Sequence, residues 1–131
     1  LLLFELQQSA DTTYRLFDWG RGRELHLDQG LACTELTGRE ALTRPRDLAP
    51  GRRRLVECEH FFIDRLDLLG GEAPLDPGGR WAAVLPLHGQ ARVGDLELPP
   101  GSTAMIPKAA GATSLSGSCV ALAFGPNRSS A

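Results

Sequence analysis

Hydrophobic side chains along this chain fall mostly into short runs with apolar and polar positions in alternation, the period of a half-buried strand. Eight such runs are bounded by Gly, Pro, Asp and Asn: Leu1 to Gln7, Thr12 to Phe17, Leu55 to His60, Phe61 to Leu68, Trp81 to Leu87, Ala91 to Leu98, Ser102 to Ile106, and Cys119 to Phe124. Short strands at this spacing predict an antiparallel sandwich or barrel rather than alternating strands and helices. The pattern changes between Gly20 and Pro50, where Leu25, Leu27, Leu31 and Leu36 predict one short helix around Leu27 to Cys33, weakened by Gly30. That segment reads as a connector. In the second half, Gly70-Gly71, Asp76-Pro77-Gly78-Gly79, His88-Gly89, Val93-Gly94-Asp95, Pro99-Pro100-Gly101 and Gly117 are each expected to close a short strand.

Length and charge narrow the classes of function. The 131 residues are about one domain's worth of chain, and Met105 is the only methionine, so an excised piece of a longer protein is the expectation. A net charge of -2 supplies no basic stripe for nucleic acid. No apolar run approaches the ~20 residues of a membrane helix, and Glu5 interrupts the opening Leu1-Leu2-Leu3-Phe4 before it could serve as a signal core. A soluble, cytoplasmic protein with neither nucleic-acid nor membrane partners is expected. Cys33, Cys58 and Cys119 are too far apart for a Cys-x-x-Cys site and read as reduced thiols packed as small apolar groups.

The basic residues are all arginine except Lys108, a compositional skew that discourages weight on any single one. Arg44, Arg46, Arg52, Arg53 and Arg54 cluster with only Asp47 nearby in sequence. A phosphate-binding loop is the functional reading. A solvated loop is the favoured one, because no glycine-rich cradle or helix start accompanies the cluster.

The stretch from Glu5 to Arg21 carries more hydrogen-bonding side chains than a sandwich strand requires. Leu2, Phe4 and Leu6 would share one face, with Leu3, Glu5 and Gln7 on the other. A hairpin centred near Ala10 would place Glu5 opposite Arg15 and Gln7 opposite Thr13. Such a pair can be a structural cross-strand salt bridge. Alternatively it can line a cavity, where a carboxylate moves a proton and an arginine stabilises an oxyanion.

This run, Glu5-Leu6-Gln7-Gln8-Ser9-Ala10-Asp11-Thr12-Thr13-Tyr14-Arg15-Leu16-Phe17-Asp18-Trp19-Gly20-Arg21, closely resembles a signature of the type I mannose-6-phosphate isomerases of the cupin superfamily. Weaker likeness continues at Arg23 to Leu27, Glu57 to Leu68 and Gly101 to Gly111, so that it covers most of the chain. The resemblance implies a cupin or jelly-roll fold and zinc-aided interconversion of mannose 6-phosphate and fructose 6-phosphate through an enediol. It assigns Arg15 as the active-site arginine and Glu5 as its neighbouring carboxylate, with Asp11, Thr12 and Asp18 shaping the turn. Lys108 is a weaker candidate contact for the anionic substrate, against the reading of a surface turn lysine.

The same resemblance places the zinc ligands upstream of this sequence. His26, His60 and His88 lack the spacing of a three-ligand catalytic site and read as surface or packing residues. The ligand histidine of a second cupin motif is also missing after Pro107. The implied arrangement is the C-terminal portion of such an isomerase: residues 1–20 as the last strands of the catalytic cupin, 21–50 as connector, and 51–131 as a degenerate cupin-like domain. No zinc is expected on this chain alone; its partners would be the hexose 6-phosphate and the upstream catalytic portion. The alternative is a non-catalytic sugar-binding or regulatory cupin-like module. The ligand-sensing half of a transcription regulator ranks last, since no helix-turn-helix is present.

Overall fold

A computed structural model of the chain describes residues 3–9, 13–36, 43–77 and 80–127. The chain divides into two compact units, Leu1–Ala41 and Leu42–Ala131.

The first unit holds the one α-helix among the described residues, α1 (Leu27–Ala32), close to the predicted span. Gly30, which weakens the helix by propensity, has a packing reason. A Cβ there would lie 2.2 Å from Cδ2 of Leu16, so a bare backbone is what lets the helix close onto that side chain. Of the strands expected over Leu1 to Gln7 and Thr12 to Phe17, the described residues 3–8 and 13–17 carry none, and Leu1, Leu2, Ala10, Asp11 and Thr12 lie outside the described residues. Half-buried Phe4 and Leu6 still alternate with exposed Leu3, Glu5 and Gln7, so the period-2 signal is visible in the burial although no strand is formed at 3–8.

The second unit is an antiparallel sheet of seven strands: β1 (Arg46–Ala49), β2 (Arg52–Glu57), β3 (Phe61–Leu75), β4 (Trp81–Val93), β5 (Leu96–Leu98), β6 (Ala104–Pro107) and β7 (Thr113–Pro126). Their order is β1-β2-β3-β7-β4-β5, with β6 also paired to β4. The all-β antiparallel class with one short helix is as expected from sequence. Two details are not. The strand β1 lies inside the stretch read as connector, where Pro50-Gly51 supplies a tight two-residue turn into β2, with Gly51 at φ +71. The pairs Gly70-Gly71 and His88-Gly89, and Gly117, do not close strands; they sit within β3, β4 and β7.

These interior glycines explain how the sheet encloses a core. Beside β7, strand β3 carries an irregularity between Leu69 and Gly71, and β4 carries one between Pro86 and His88. Each inserts one extra residue, bending its strand and switching which face later residues occupy. Inward positions therefore run Leu66 and Leu68 before the bulge of β3 but Ala73 and Leu75 after it, and Val84 before the bulge of β4 but Ala91 after it. Unbulged β7 keeps one parity throughout, with Leu115, Cys119, Ala121 and Ala123 all buried. One bent sheet thus surrounds a single apolar cluster.

The bend requires glycine at two positions. Gly89 has φ +87, and a Cβ on it would sit 2.2 Å from the Ser118 carbonyl oxygen; Gly117 has φ +124, with the Gln90 carbonyl oxygen at 2.2 Å. Both close approaches are to backbone and cannot be relieved by a rotamer. Gly89→Ala is expected to cost about 3 kcal/mol, combining left-handed strain with main-chain overlap. Gly94→Ala, at φ +57 with no atom within 4 Å of its Cβ, isolates the strain alone at about 1 kcal/mol. Urea unfolding of the two variants checks this, and equal losses would show that the β4–β7 approach does not depend on Gly89.

Candidate functional site

In the first unit the side chains gather around Asp18, which is only 6% exposed. Its Oδ2 accepts the backbone N–H of Arg23 at 2.8 Å, its Oδ1 accepts Arg23 Nε, and its carbonyl accepts Arg21 N–H at 3.2 Å. A carboxylate followed by glycines at residues 20 and 22 is a turn sequence, and here the side chain replaces the missing backbone bonds of the loop. Trp19 adopts φ +55 at the crest of that loop.

Arg15 is held from three sides. Its guanidinium Nη1 donates to the Glu24 carbonyl at 3.2 Å, and its Nε lies 3.8 Å from Asp18 Oδ1. Its backbone N–H donates to Nδ1 of His26 at 3.1 Å, while the His26 N–H returns a bond to the Arg15 carbonyl at 2.8 Å. The ring of His26 meets Tyr14 edge-on at 6.1 Å. An Nδ1 that accepts a backbone N–H cannot also bind a metal, so His26 has a positioning geometry. Arg15 itself is half-buried, and Nη2 has no partner among the described residues. Glu5 lies exposed in the irregular segment 3–8. The carboxylate observed beside Arg15 is thus Asp18, three residues on, where the hairpin argument placed Glu5. Sequence spacing contained the signal, because an Arg-x-x-Asp pair ahead of two glycines can close on itself.

In the second unit the arginine cluster lies largely on strands rather than in a loop. Arg46 sits on β1 and Arg52, Arg53 and Arg54 on β2, and each bonds an acid of β1, β2 or β3. Asp64 on β3 is fully buried; Arg52 Nε and Nη2 reach its Oδ2 at 2.8 and 2.7 Å, and Arg54 Nε bonds its Oδ1. Arg54 also bonds Glu57 and stacks over the Phe62 ring at 4.7 Å, and Arg46 bonds Glu57 from β1. The Arg46 guanidinium, followed by that of Arg54, holds the Glu57 carboxyl below the usual range despite partial desolvation. On the outer face Arg53 bonds Asp47 at 2.7 Å, and Arg65 bonds Asp67 and draws its carboxyl down likewise. Sequence reasoning missed Asp64, although its parity with Leu66 and Leu68 announces a charge on the inward face.

Lys108 is exposed at the start of a single 3₁₀ turn, Lys108–Ala110, with its backbone N–H donating to the Arg80 carbonyl at 2.9 Å. Of the cysteines, Cys119 is buried in the core, where desolvation pushes its thiol up; Cys58 is intermediate, and Cys33 is exposed rather than packed. His60 sits against its neighbour Glu59 at 2.7 Å, and His88 is exposed. The zinc implied by the family resemblance is not matched by these donors. Asp18 and Asp64 are taken up by arginines, His26 by a backbone amide, and no group of three His, Cys, Asp or Glu among the described residues could hold a metal. No helix among the described residues is long and apolar enough to cross a membrane.

No protein-family model matches the chain. The mannose-6-phosphate isomerase ManA of Bacillus subtilis is 28% identical over 102 residues, covering 71% of this chain and 32% of that protein. The crystal structure of mannose 6-phosphate isomerase from Bacillus subtilis superposes with a TM-score of 0.66 at 20% identity, over 88% of this chain and 40% of that one. The isomerase from Salmonella typhimurium, crystallised with its substrate fructose 6-phosphate and zinc, gives 0.64 at 18% identity, over 81% of this chain and 29% of that one. The bent antiparallel sheet is thus the cupin type of fold found in these isomerases. This chain spans about a third of the length of the curated relative.

Proposed function

We propose that this chain, which resembles the C-terminal portion of type I mannose-6-phosphate isomerases in sequence and in fold, is the C-terminal part of such an enzyme and contributes Arg15 and Glu5 to its active site. Residues 1–20 close the catalytic cupin, a connector follows, and the second unit, Leu42–Ala131, forms a degenerate cupin-like domain. The zinc ligands belong to the upstream catalytic portion. The setting is cytoplasmic and the substrate a hexose 6-phosphate.

Converting an aldose to a ketose moves one proton from C2 to C1 and one between the two oxygens, through an enediol. A carboxylate beside C1 and C2 can take the first proton and return it one carbon over; Glu5 is the candidate for that shuttle. Negative charge builds on oxygen as the C2 proton leaves. A guanidinium already fixed in place stabilises that charge without having to reorganise during the step. The observation that carries the reading is the way Arg15 is fixed: Glu24 and Asp18 anchor Nη1 and Nε, and no described residue takes Nη2. Lys108 is the secondary candidate for contact with the anionic substrate.

The test compares two proteins in an assay of mannose 6-phosphate conversion to fructose 6-phosphate. The 131-residue chain alone is expected to be inactive. The same segment joined to its upstream coding region is expected to turn over and to lose turnover on treatment with a chelator. Metal-dependent turnover by the chain alone, or none by the joined protein, overturns the reading. Saturable sugar binding by an inactive joined protein would favour a non-catalytic cupin-like module instead.

A further inference from the structure

On the outer face of the second unit, β1, β2 and β3 present one row of charges, with Asp47 directly opposite Arg53 and Arg53 directly opposite Arg65. Like charges in directly opposed positions of neighbouring strands repel. Each of these two arginines is bonded to a carboxylate: Arg53 Nε donates to Asp47 Oδ1 at 2.7 Å, and Arg65 donates through Nε and Nη2 to Asp67 at 2.9 and 2.7 Å. The acids thus occupy the Nε edges. Both terminal nitrogens of Arg53 and Nη1 of Arg65 have no partner among the described residues. The arrangement is that of oriented guanidiniums lacking an anion between them.

The row lines an open hollow of about 760 Å³, with Leu48 and Leu55 also in its wall. Its rim is set by backbone. The Asp67 N–H donates to the Gly51 carbonyl at 2.8 Å, and a Cβ on Gly51 would come 2.6 Å from the Asp67 carbonyl, so the β1–β2 turn is pressed onto β3. The volume lies within the range of ligand pockets and exceeds what a bare phosphate fills, leaving apolar wall for the group that carries it.

We infer that this hollow binds a phosphomonoester dianion between the guanidiniums of Arg53 and Arg65. A dianion relieves the cross-strand repulsion and meets the open N–H groups, while the bonds to Asp47 and Asp67 through Nε hold the two guanidiniums. The site is made of residues other than Arg15 and Glu5, and its test involves no turnover, so its failure and that of the isomerase reading are distinguishable.

The test is calorimetric titration of the 131-residue chain at low ionic strength with inorganic phosphate and, separately, with mannose 6-phosphate. Single-site saturation is expected, weakened about tenfold by Arg53→Gln and again by Arg65→Gln, as loss of one charge-assisted contact predicts. Arg53→Lys keeps the charge without the fork and should fall between. Arg92→Gln removes an exposed arginine paired to Glu97 elsewhere on the sheet and should change nothing. Thermal melts of the same samples report retained folding. A sugar phosphate that binds tighter than phosphate assigns the sugar ester as occupant, and equal affinities assign the phosphate group alone; both support the site. Absence of saturation, or unchanged affinity in folded Arg53→Gln and Arg65→Gln, overturns it.

Discussion

Asp64→Asn is expected to destabilise the protein by about 3 kcal/mol, a fall in Tm of roughly 10 °C for a domain of this size. The substitution keeps the shape of the side chain and removes its charge. Asp64 is fully enclosed, and two guanidiniums converge on it, that of Arg52 also donating to the Pro74 carbonyl at 3.0 Å. Without the carboxylate two cations face each other at the inner face of β2 and β3, and an Asn amide offers one of them a donor where it needs an acceptor. The cost arises from the charges left behind. It follows that replacing all three residues together, Asp64→Leu with Arg52→Met and Arg54→Met, should recover much of the loss. Chemical unfolding of the single and triple variants checks both statements. A loss under about 1 kcal/mol for Asp64→Asn would mean that the two arginines relax into water without penalty.

How much of this architecture the sequence discloses depends on the range of the interactions involved. The helix at Leu27–Ala32 and the turn at Gly94-Asp95 rest on local chemistry and are legible. The class of fold is legible for the same reason, since alternation is a local property. The lengths of β3, β4 and β7 are not. Gly70-Gly71, His88-Gly89 and Gly117 have turn composition, yet in the sheet the first two pairs flank the bulges of β3 and β4, and Gly89 and Gly117 let β4 and β7 approach closely. Only the ladder partners decide between turn and bulge, and for β3 these lie on β7, as remote in sequence as Pro126 opposite Phe61. The arginine cluster shows the same limit. Its nearest acid in sequence is Asp47, but its energetic centre is Asp64, brought in by the pairing of β2 with β3. At the candidate site, the family signature singles out Arg15, while the clamp that holds it, made by Asp18, Glu24 and His26, emerges from the folded loop.

Arg15→Ala is expected to lower kcat for mannose 6-phosphate isomerisation by about 10²–10³-fold in the protein that joins this segment to its upstream catalytic portion, the usual effect of deleting one preorganised group that stabilises an oxyanion. Arg15→Lys should recover only part of that loss, because an ammonium cannot keep the bond to Glu24 and the ion pair with Asp18 while also presenting a donor to the enediolate. Folding should survive both changes. The Arg15 backbone bonds to His26 do not use the side chain, and Asp18 retains both bonds from Arg23. The most direct test of the account is therefore kcat of the joined protein before and after the Arg15→Ala substitution, measured on samples with matching melting curves: a fall of at least about a hundredfold is the predicted result, and an unchanged kcat would contradict it.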